Sequence, residues 1–369
     1  MWTYKHPTEI RFGAGARAEL PELVARFGAR PILITDSALR ETPMVVKALE
    51  TLGKGARLFS DVEPNPTVGS VDRAIGEIAV NGCDVVVAMG GGSSLDCAKA
   101  AAAVAAQGGS ARDYHSGGRP LGAARLPLIA VPTTAGTGSE VTPIAVLDDP
   151  EKGIKAPFAH DSMFPTVALV DPELTVTMPK YVTACTGLDA LSHAVEGYWS
   201  INHQPICDLY ALKAVELAVR HLPAVLSDGS NVGARAGMSE AAMLAGLAFQ
   251  LPKNAAVHAC SYPLCTIYHL PHGAGCAMTL DHFIRYNGEV MSERGVALAR
   301  AAGVPNMASF ADVVADLKRQ AGLPAKLSEI GVTMESLGEL VEASFVPLMK
   351  NNPRPVSPSE LRALYKSML

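Results

Sequence analysis

The sequence predicts an α/β domain over residues 1–180, built on a parallel sheet, followed by an all-helical domain over 181–369. Three observations predict it. Unbroken apolar runs at 31–36, 84–89, 127–132 and 166–171 alternate with helical periodicity at 19–27, 44–52, 68–81 and 95–107. Strands covered by helices on both faces read this way. After Pro179 the strand signal stops, and Ala/Leu-rich segments at 181–199, 205–221, 233–249 and 255–268 keep helical spacing. Finally, 369 residues with 49% hydrophobic and 18% charged content suffice for two cores.

Each apolar run ends in a distinctive segment. Pro31–Asp36 closes on an acidic residue, and the run at 84–89 passes straight into Gly90-Gly91-Gly92-Ser93. The third opens into Thr133-Thr134-Ala135-Gly136-Thr137-Gly138-Ser139-Glu140-Val141-Thr142, and the fourth stops at Pro172. Near the end, Ser357-Pro358-Ser359-Glu360 carries an N-cap serine, a proline for the first helical position and a glutamate at capping-box spacing.

Composition excludes several roles. A net charge of −5, no Lys/Arg run and 5% aromatics give no footprint for nucleic acid. Residues 1–12 alternate apolar with charged side chains, unlike a signal peptide, and the Ala-rich stretch 98–106 is too short to span a membrane. Seven cysteines, with no Cys-x-x-Cys pair, suit neither a disulfide framework nor a zinc ribbon. A cytoplasmic protein is expected, with Cys260 and Cys265 as packing residues.

Glycines between a strand and a helix let backbone amides approach a pyrophosphate, and the helix N-terminus adds its positive end. Gly91, Gly92 and Ser93 fit that role; a plain glycine turn, with Ser93 and Asp96 as a capping box, fits the spacing equally. Asp36 can accept from a ribose 2′-hydroxyl and repel a 2′-phosphate, favouring NAD over NADP, or can simply cap a turn. The hydroxyls of 133–142 suit either a ligand crevice or helix capping. Gly13-Ala14-Gly15 looks like a dinucleotide fingerprint, but the strand before it is weak.

In the second half, Asp189 and His193 stand four residues apart on one face of a predicted helix, in an apolar setting. A surface hydrogen bond would explain the pair, but a buried carboxylate needs a partner, and a divalent metal is one. His258 and His272 would complete a set of one carboxylate and three imidazoles, suited to Fe²⁺ or Zn²⁺ more than Mg²⁺. From the residues alone His269 competes as a ligand.

Together these segments resemble the iron-containing (group III) alcohol dehydrogenases over nearly the whole chain. The markers are Gly13-Ala14-Gly15, Glu63-Pro64-Asn65-Pro66, Gly90–Ser93 with Asp96 and Lys99, 132–140, 187–196, Pro271-His272-Gly273 and Asn352-Pro353-Arg354. The resemblance implies a dehydroquinate synthase-like architecture, an NAD-binding α/β domain followed by a helical metal-binding domain. It implies Asp189, His193, His258 and His272 as ligands of Fe²⁺ (Zn²⁺ or another divalent ion being alternatives), and so demotes His269. It places Asp36 and Asn65 at the adenosine end of NAD, Gly91, Gly92, Ser93 and Asp96 in the phosphate loop, and Thr133, Thr134, Thr137, Thr142 and Lys155 along the cofactor. Phe249 would flank the substrate. Relatives often carry a histidine for proton handling where this chain has Tyr262, and Pro252-Lys253-Asn254 departs from their small-residue loop.

The implied activity is hydride transfer between nicotinamide and a small primary alcohol or aldehyde, phosphonoacetaldehyde being one candidate. The implied assembly is a homo-oligomer, a dimer or larger. The alternative is a dehydroquinate-synthase-like lyase using NAD and a metal without net redox.

Overall fold

The computed structural model describes residues 2–369. The chain forms two compact units. One comprises Lys5–Thr134 and Ser139–Thr175; the other comprises Val176–Leu369, Ala135–Gly138 and the N-terminal residues up to Tyr4.

The α/β unit runs β1 (Glu9–Phe12), α1 (Leu20–Phe27), β2 (Pro31–Asp36), α2 (Pro43–Leu52), β3 (Arg57–Val62), α3 (Val68–Asn81), β4 (Val85–Gly90), α4 (Gly92–Ala105), the short α5 (Ala111–His115), β5 (Leu128–Pro132), the hairpin β6 (Ile144–Asp149) and β7 (Ile154–Ala159), and β8 (Val167–Val170). Six strands form one parallel sheet in the order β1-β8-β5-β4-β2-β3. Alternate side chains feed two cores. Ile32, Ile34, Val86 and Ala88 pack under α3 and α4, whereas Leu33, Val85, Val87 and Met89 pack under α1 and α2. Burial on both faces explains why these strands read as continuous apolar runs.

From β2 the chain runs outward to β3 and then returns to β4 on the other side of β2. The order therefore reverses between β2 and β4, and open parallel sheets bind ligands outside the strand ends at such a reversal. Asp36 and Gly90 are those ends. Gly90 has φ +156°, and a Cβ there would stand 2.6 Å from the Ser94 Cβ, so only glycine lets the strand turn into α4.

Two expectations need correction. The capping box between Ser93 and Asp96 does not form: α4 begins at Gly92 with Gly91 as its N-cap, and no side chain caps it. Ser93 is thus already inside the first turn, and Asp96 turns instead to Ser139 Oγ (2.5 Å) and the Val146 amide (2.8 Å). The strand before Gly13 does form, as β1, but Asp171 accepts from the Gly15 and Arg17 amides, so this loop is a structural turn. The C-terminal capping box at Ser357 forms as expected.

The helical unit contains α6 (Lys180–Trp199), α7 (Pro205–Ser227), α8 (Val232–Phe249), α9 (Ala256–Thr266), α10 (His272–Gly288), α11 (Ser292–Ala301), α12 (Met307–Ala321), α13 (Leu337–Ser344) and α14 (Pro358–Ser367). α6 is buried almost all round from Thr183 to Trp199. Gly273 lies so close to the Cys185 backbone that a Cβ would collide with it, which lets the start of α10 press against α6. No helix among the described residues is long and apolar enough to cross a membrane.

Lys99 of α4 ties the α/β unit together. Its buried ammonium pairs with Asp96 (3.1 Å) and donates to the carbonyls of Ser139 (3.1 Å), Thr142 (3.4 Å) and Ile144. Burial lowers its pKa, and Asp96 opposes that shift. Replacing Lys99 with Ala strands those acceptors and one carboxylate, and is expected to destabilise the unit by about 3–5 kcal/mol. Urea unfolding of the two proteins measures this.

Candidate metal centre and cofactor loops

α6 presents Asp189, His193 and Glu196 from successive turns of one face, as i, i+4 and i+7 spacing dictates. The Asp189 side chain is 4% exposed, and its two oxygens meet three imidazoles. Oδ2 stands 3.7 Å from His193 Nε2, while Oδ1 stands 3.6 Å from His258 Nε2 on α9 and 3.7 Å from His272 Nε2 at the start of α10. The fold therefore brings all four expected ligands together. His269 is not among them: it is exposed, in the left-handed backbone region at φ +56°.

Asp189 Oδ1 and His258 Nε2 are buried without a hydrogen-bond partner. Leaving such atoms unpaired costs on the order of 1–3 kcal/mol each. Donors about 2.0–2.2 Å from a shared tetrahedral centre stand roughly 3.3–3.6 Å apart, close to the distances found. A divalent cation fits this donor set and satisfies both orphaned atoms.

Two of the remaining imidazole nitrogens are held from behind. His258 Nδ1 donates to Glu196 Oε2 at 2.5 Å, and Glu196 also accepts from the Val257 amide at 2.7 Å. His193 Nδ1 donates to Asn254 Oδ1 at 3.2 Å. Burial drives the His193 pKa down to about 3 despite Asp189, so its ring is neutral at pH 7. Burial alone would raise Asp189; His193 and His272 hold it below the usual carboxylate range.

Sequence reasoning missed three residues here. Glu196 was legible as the third member of the α6 face. Cys276 was legible as i+4 from His272. Its Sγ lies 4.0 Å from His272 Nε2, and the donor atoms of Asp189, His258, His272 and Cys276 all lie within 4.8 Å of one another. Asn254 carried no local signal, because its contact with His193 spans 61 residues.

Phe249 ends α8 and stacks on the His193 ring, centroids 4.1 Å apart and planes 12° from parallel. Tyr262 lies on α9 one turn after His258. Burial raises its pKa further, which makes the phenol a hydrogen-bond donor rather than a base at neutral pH. Cys260 is buried and Cys265 half-buried, both with free thiols.

In the α/β unit, Asp36 Oδ1 accepts from the amides of Ala38 and Leu39, and Oδ2 accepts from Ser94 Oγ at 3.3 Å. It caps a turn beside the glycine loop. Gly91, Gly92 and Ser93 form the N-terminus of α4, and a Cβ on Gly91 would touch Thr134 at 3.4 Å. Thr133 is buried, its amide bonded to Gly90 O at 2.9 Å. Thr142 is buried against Lys99, and Asp96 is fully engaged by Ser139, Val146 and Lys99. Asn65, exposed with φ +57°, accepts from Lys155 Nζ at 2.9 Å. Thr137 falls in the short stretch that belongs to the helical unit.

The model for iron-containing alcohol dehydrogenase matches residues 7–172, and that for the C-terminal region of the Fe-containing alcohol dehydrogenase family matches 183–369. The chain is 36% identical to a choline dehydrogenase of Bacillus subtilis, covering 99% of this chain and 94% of that one. It is 33% identical to an NAD-dependent methanol dehydrogenase of Bacillus methanolicus, covering all of both. The crystal structure of a sulfoacetaldehyde reductase from Bifidobacterium kashiwanohense in complex with NAD+ superposes with a TM-score of 0.96 at 40% identity, covering 100% of this chain and 98% of that one. Fold and matches together define an NAD- and metal-dependent oxidoreductase acting on alcohols or aldehydes. The chain belongs to the iron-containing alcohol dehydrogenase family.

Replacing Glu196 with Ala frees His258 to turn and removes a charge that raises its basicity. Affinity for a divalent ion is expected to fall about ten- to a hundredfold, read by competitive chelator titration.

Proposed function

We propose that the protein interconverts a short primary alcohol and its aldehyde, with one divalent metal held by Asp189, His193, His258 and His272. The observation that carries this reading is the pair of buried, unpartnered donor atoms, Asp189 Oδ1 and His258 Nε2, facing the other two imidazoles. A divalent cation there supplies Lewis-acid polarisation of the substrate oxygen, and the nicotinamide supplies or accepts the hydride.

The chain's own residues do the rest. Glu196 and Asn254 fix the His258 and His193 tautomers, so that each ring offers Nε2 to the centre. Phe249 covers one face of His193 and keeps water from it. Tyr262, one turn after His258, offers a hydrogen-bond donor rather than a base, while proton exchange falls to solvent or ribose hydroxyls.

On the cofactor side, the amides of Gly91, Gly92 and Ser93 at the start of α4 receive the pyrophosphate. Asp96 acts from behind that loop by fixing Ser139 and Val146. Asp36 takes the adenosine ribose, and Asn65 with Lys155 lies further along that end. Thr133, Thr134, Thr137 and Thr142 line the remainder.

The substrate reading includes two-carbon aldehydes with a terminal anion, phosphonoacetaldehyde among them; the 40% identity to a sulfoacetaldehyde reductase supports that class. Free thiols at all seven cysteines suit the cytoplasm, and we take the working assembly to be a homodimer.

The test is NADH oxidation at 340 nm with metal-loaded protein over an aldehyde panel. Asp189→Ala and His258→Ala are expected to lose bound metal and to lower kcat/KM about a thousandfold, the loss of roughly 4 kcal/mol of charge stabilisation. Metal retained with full activity would refute the ligand set. Asp36→Ser is expected to weaken NADH use about tenfold and to bring NADPH into range, since it removes the repulsion toward a 2′-phosphate; paired kinetics with both cofactors measure it.

A further inference from the structure

Between α8 and α9 the chain turns through Gln250–Ala255, and Lys253 stands in that turn with φ +66°. Its amide donates to Phe249 O at 2.8 Å, and its Nζ folds back to Gln250 O at 2.7 Å. A left-handed backbone costs a residue with a Cβ on the order of 1 kcal/mol or more, so the turn is held where it is by its contacts. The ammonium is only partly exposed, and burial alone lowers its pKa, with no acidic neighbour to oppose the shift.

That sets Lys253 apart from the two other deeply placed lysines. Lys99 pairs with Asp96 at 3.1 Å, and Lys318 with Asp281 at 2.6 Å. A desolvated cation without a counter-charge is costly by itself and favours an anion brought from outside.

The turn is also tied to the metal centre at both ends. Phe249, four residues before Lys253, stacks on His193, and Asn254, the next residue, accepts from His193 Nδ1. Because that bond uses Asn254 Oδ1, the amide Nδ2 is left as a second donor beside the lysine.

We propose that Lys253 anchors a strong anion at the far end of the substrate, so that the substrates are short aldehydes ending in a sulfonate or phosphonate. This rests on the aldehyde-reducing reading above and specifies its substrate class. The carbonyl carbon takes the hydride from NADH, which becomes NAD. The carbonyl oxygen gains a proton, and the anionic group passes through unchanged, serving only to orient the two-carbon unit.

The experiment compares the metal-loaded protein with Lys253→Ala, Lys253→Met and Lys253→Arg, using sulfoacetaldehyde, phosphonoacetaldehyde and neutral propanal with NADH. For the two anionic aldehydes, Ala and Met are expected to lower kcat/KM about 30- to 100-fold, mainly through KM, as expected for a lost charge-assisted hydrogen bond. Propanal is expected to change less than about threefold, and Arg to keep most of the anionic preference. The ratio between the two anionic arms tells sulfonate from phosphonate. Calorimetric binding of 2-hydroxyethanesulfonate to the NAD-loaded protein is expected to weaken by a similar factor in Lys253→Ala. Turnover of propanal with no anionic preference, an equal loss for all three aldehydes, or 2-hydroxyethanesulfonate binding untouched by Lys253→Ala overturns the anion site and leaves aldehyde reduction standing. No NADH oxidation with any aldehyde overturns that reading instead, while lysine-dependent 2-hydroxyethanesulfonate binding still supports the anion site.

Discussion

Asp189 is a carboxylate taken almost wholly out of water, with one oxygen lacking any hydrogen-bond donor. An ionised group in that position is tolerable only if positive charge stands beside it, since its desolvation costs several kcal/mol even after relaxation. Much of the helical unit serves this requirement. α6 is apolar around the carboxylate, which fixes it in one place. Gly273 admits α10 close enough for His272 to reach it, and Glu196 on the same helix aims His258 from α9. Three helices, α6 and the consecutive pair α9 and α10 far along the chain from it, thus converge on one oxygen pair.

The rings converge on each other as well. His193 is stacked between Phe249 at 4.1 Å and His258 at 4.3 Å. Each contact removes a degree of freedom from an imidazole that also has its second nitrogen tied. Three imidazoles crowded around one carboxylate make poor sense as a hydrogen-bonding network, since Asp189 Oδ1 and His258 Nε2 remain unpaired. They make good sense as a preorganised donor set, in which reorganisation on binding is small. The α/β unit follows a related logic with opposite sign: Lys99 is the buried charge, and the loop from Ser139 to Ile144 is wrapped around it. That loop carries Thr142 and lies just beyond Thr133 and Thr134, so the geometry of the hydroxyl-rich segment depends on an ammonium.

The parallel sheet was readable because its strands are apolar on both faces, and the α6 helix because its apolar positions run uninterrupted. The four residues Asp189, His193, His258 and His272 were readable only in combination: spacing offered the first pair, while the two later histidines became ligand candidates through the first pair and the family resemblance. Less legible were β1 and β3, edge strands with charged residues facing outward, as in Arg11, Arg57 and Asp61. α10 was hidden for a different reason. It opens His-Gly-Ala-Gly, two residues of poor helix propensity, and the helix exists there because those glycines allow close packing against α6 and α9. Local sequence encodes a cost at that point, and only the tertiary contact shows what offsets it. Ser93 and Asp96 illustrate the converse. Their spacing satisfies a capping rule, yet the helix starts too early for it to apply, and Asp96 serves a distant loop instead.

Burial alone does not separate a structural charge from a functional one; the partners do. Lys99 and Lys318 each lie against a carboxylate that the chain itself supplies, so their charges are spent on internal order. Asp189 keeps an unpaired oxygen among its partners, and Lys253 has no carboxylate beside it. The first faces three imidazoles with an oxygen unclaimed, and the second has one backbone carbonyl. Of opposite sign, both border His193, one through its carboxylate and the other through Asn254 and Phe249. A carbonyl oxygen carries developing negative charge as hydride arrives, whereas a sulfonate or phosphonate carries its charge throughout. On the substrate class proposed above, two charged sites of different character, one recruiting a cation and one exposing its own, would meet those two ends of a single small molecule.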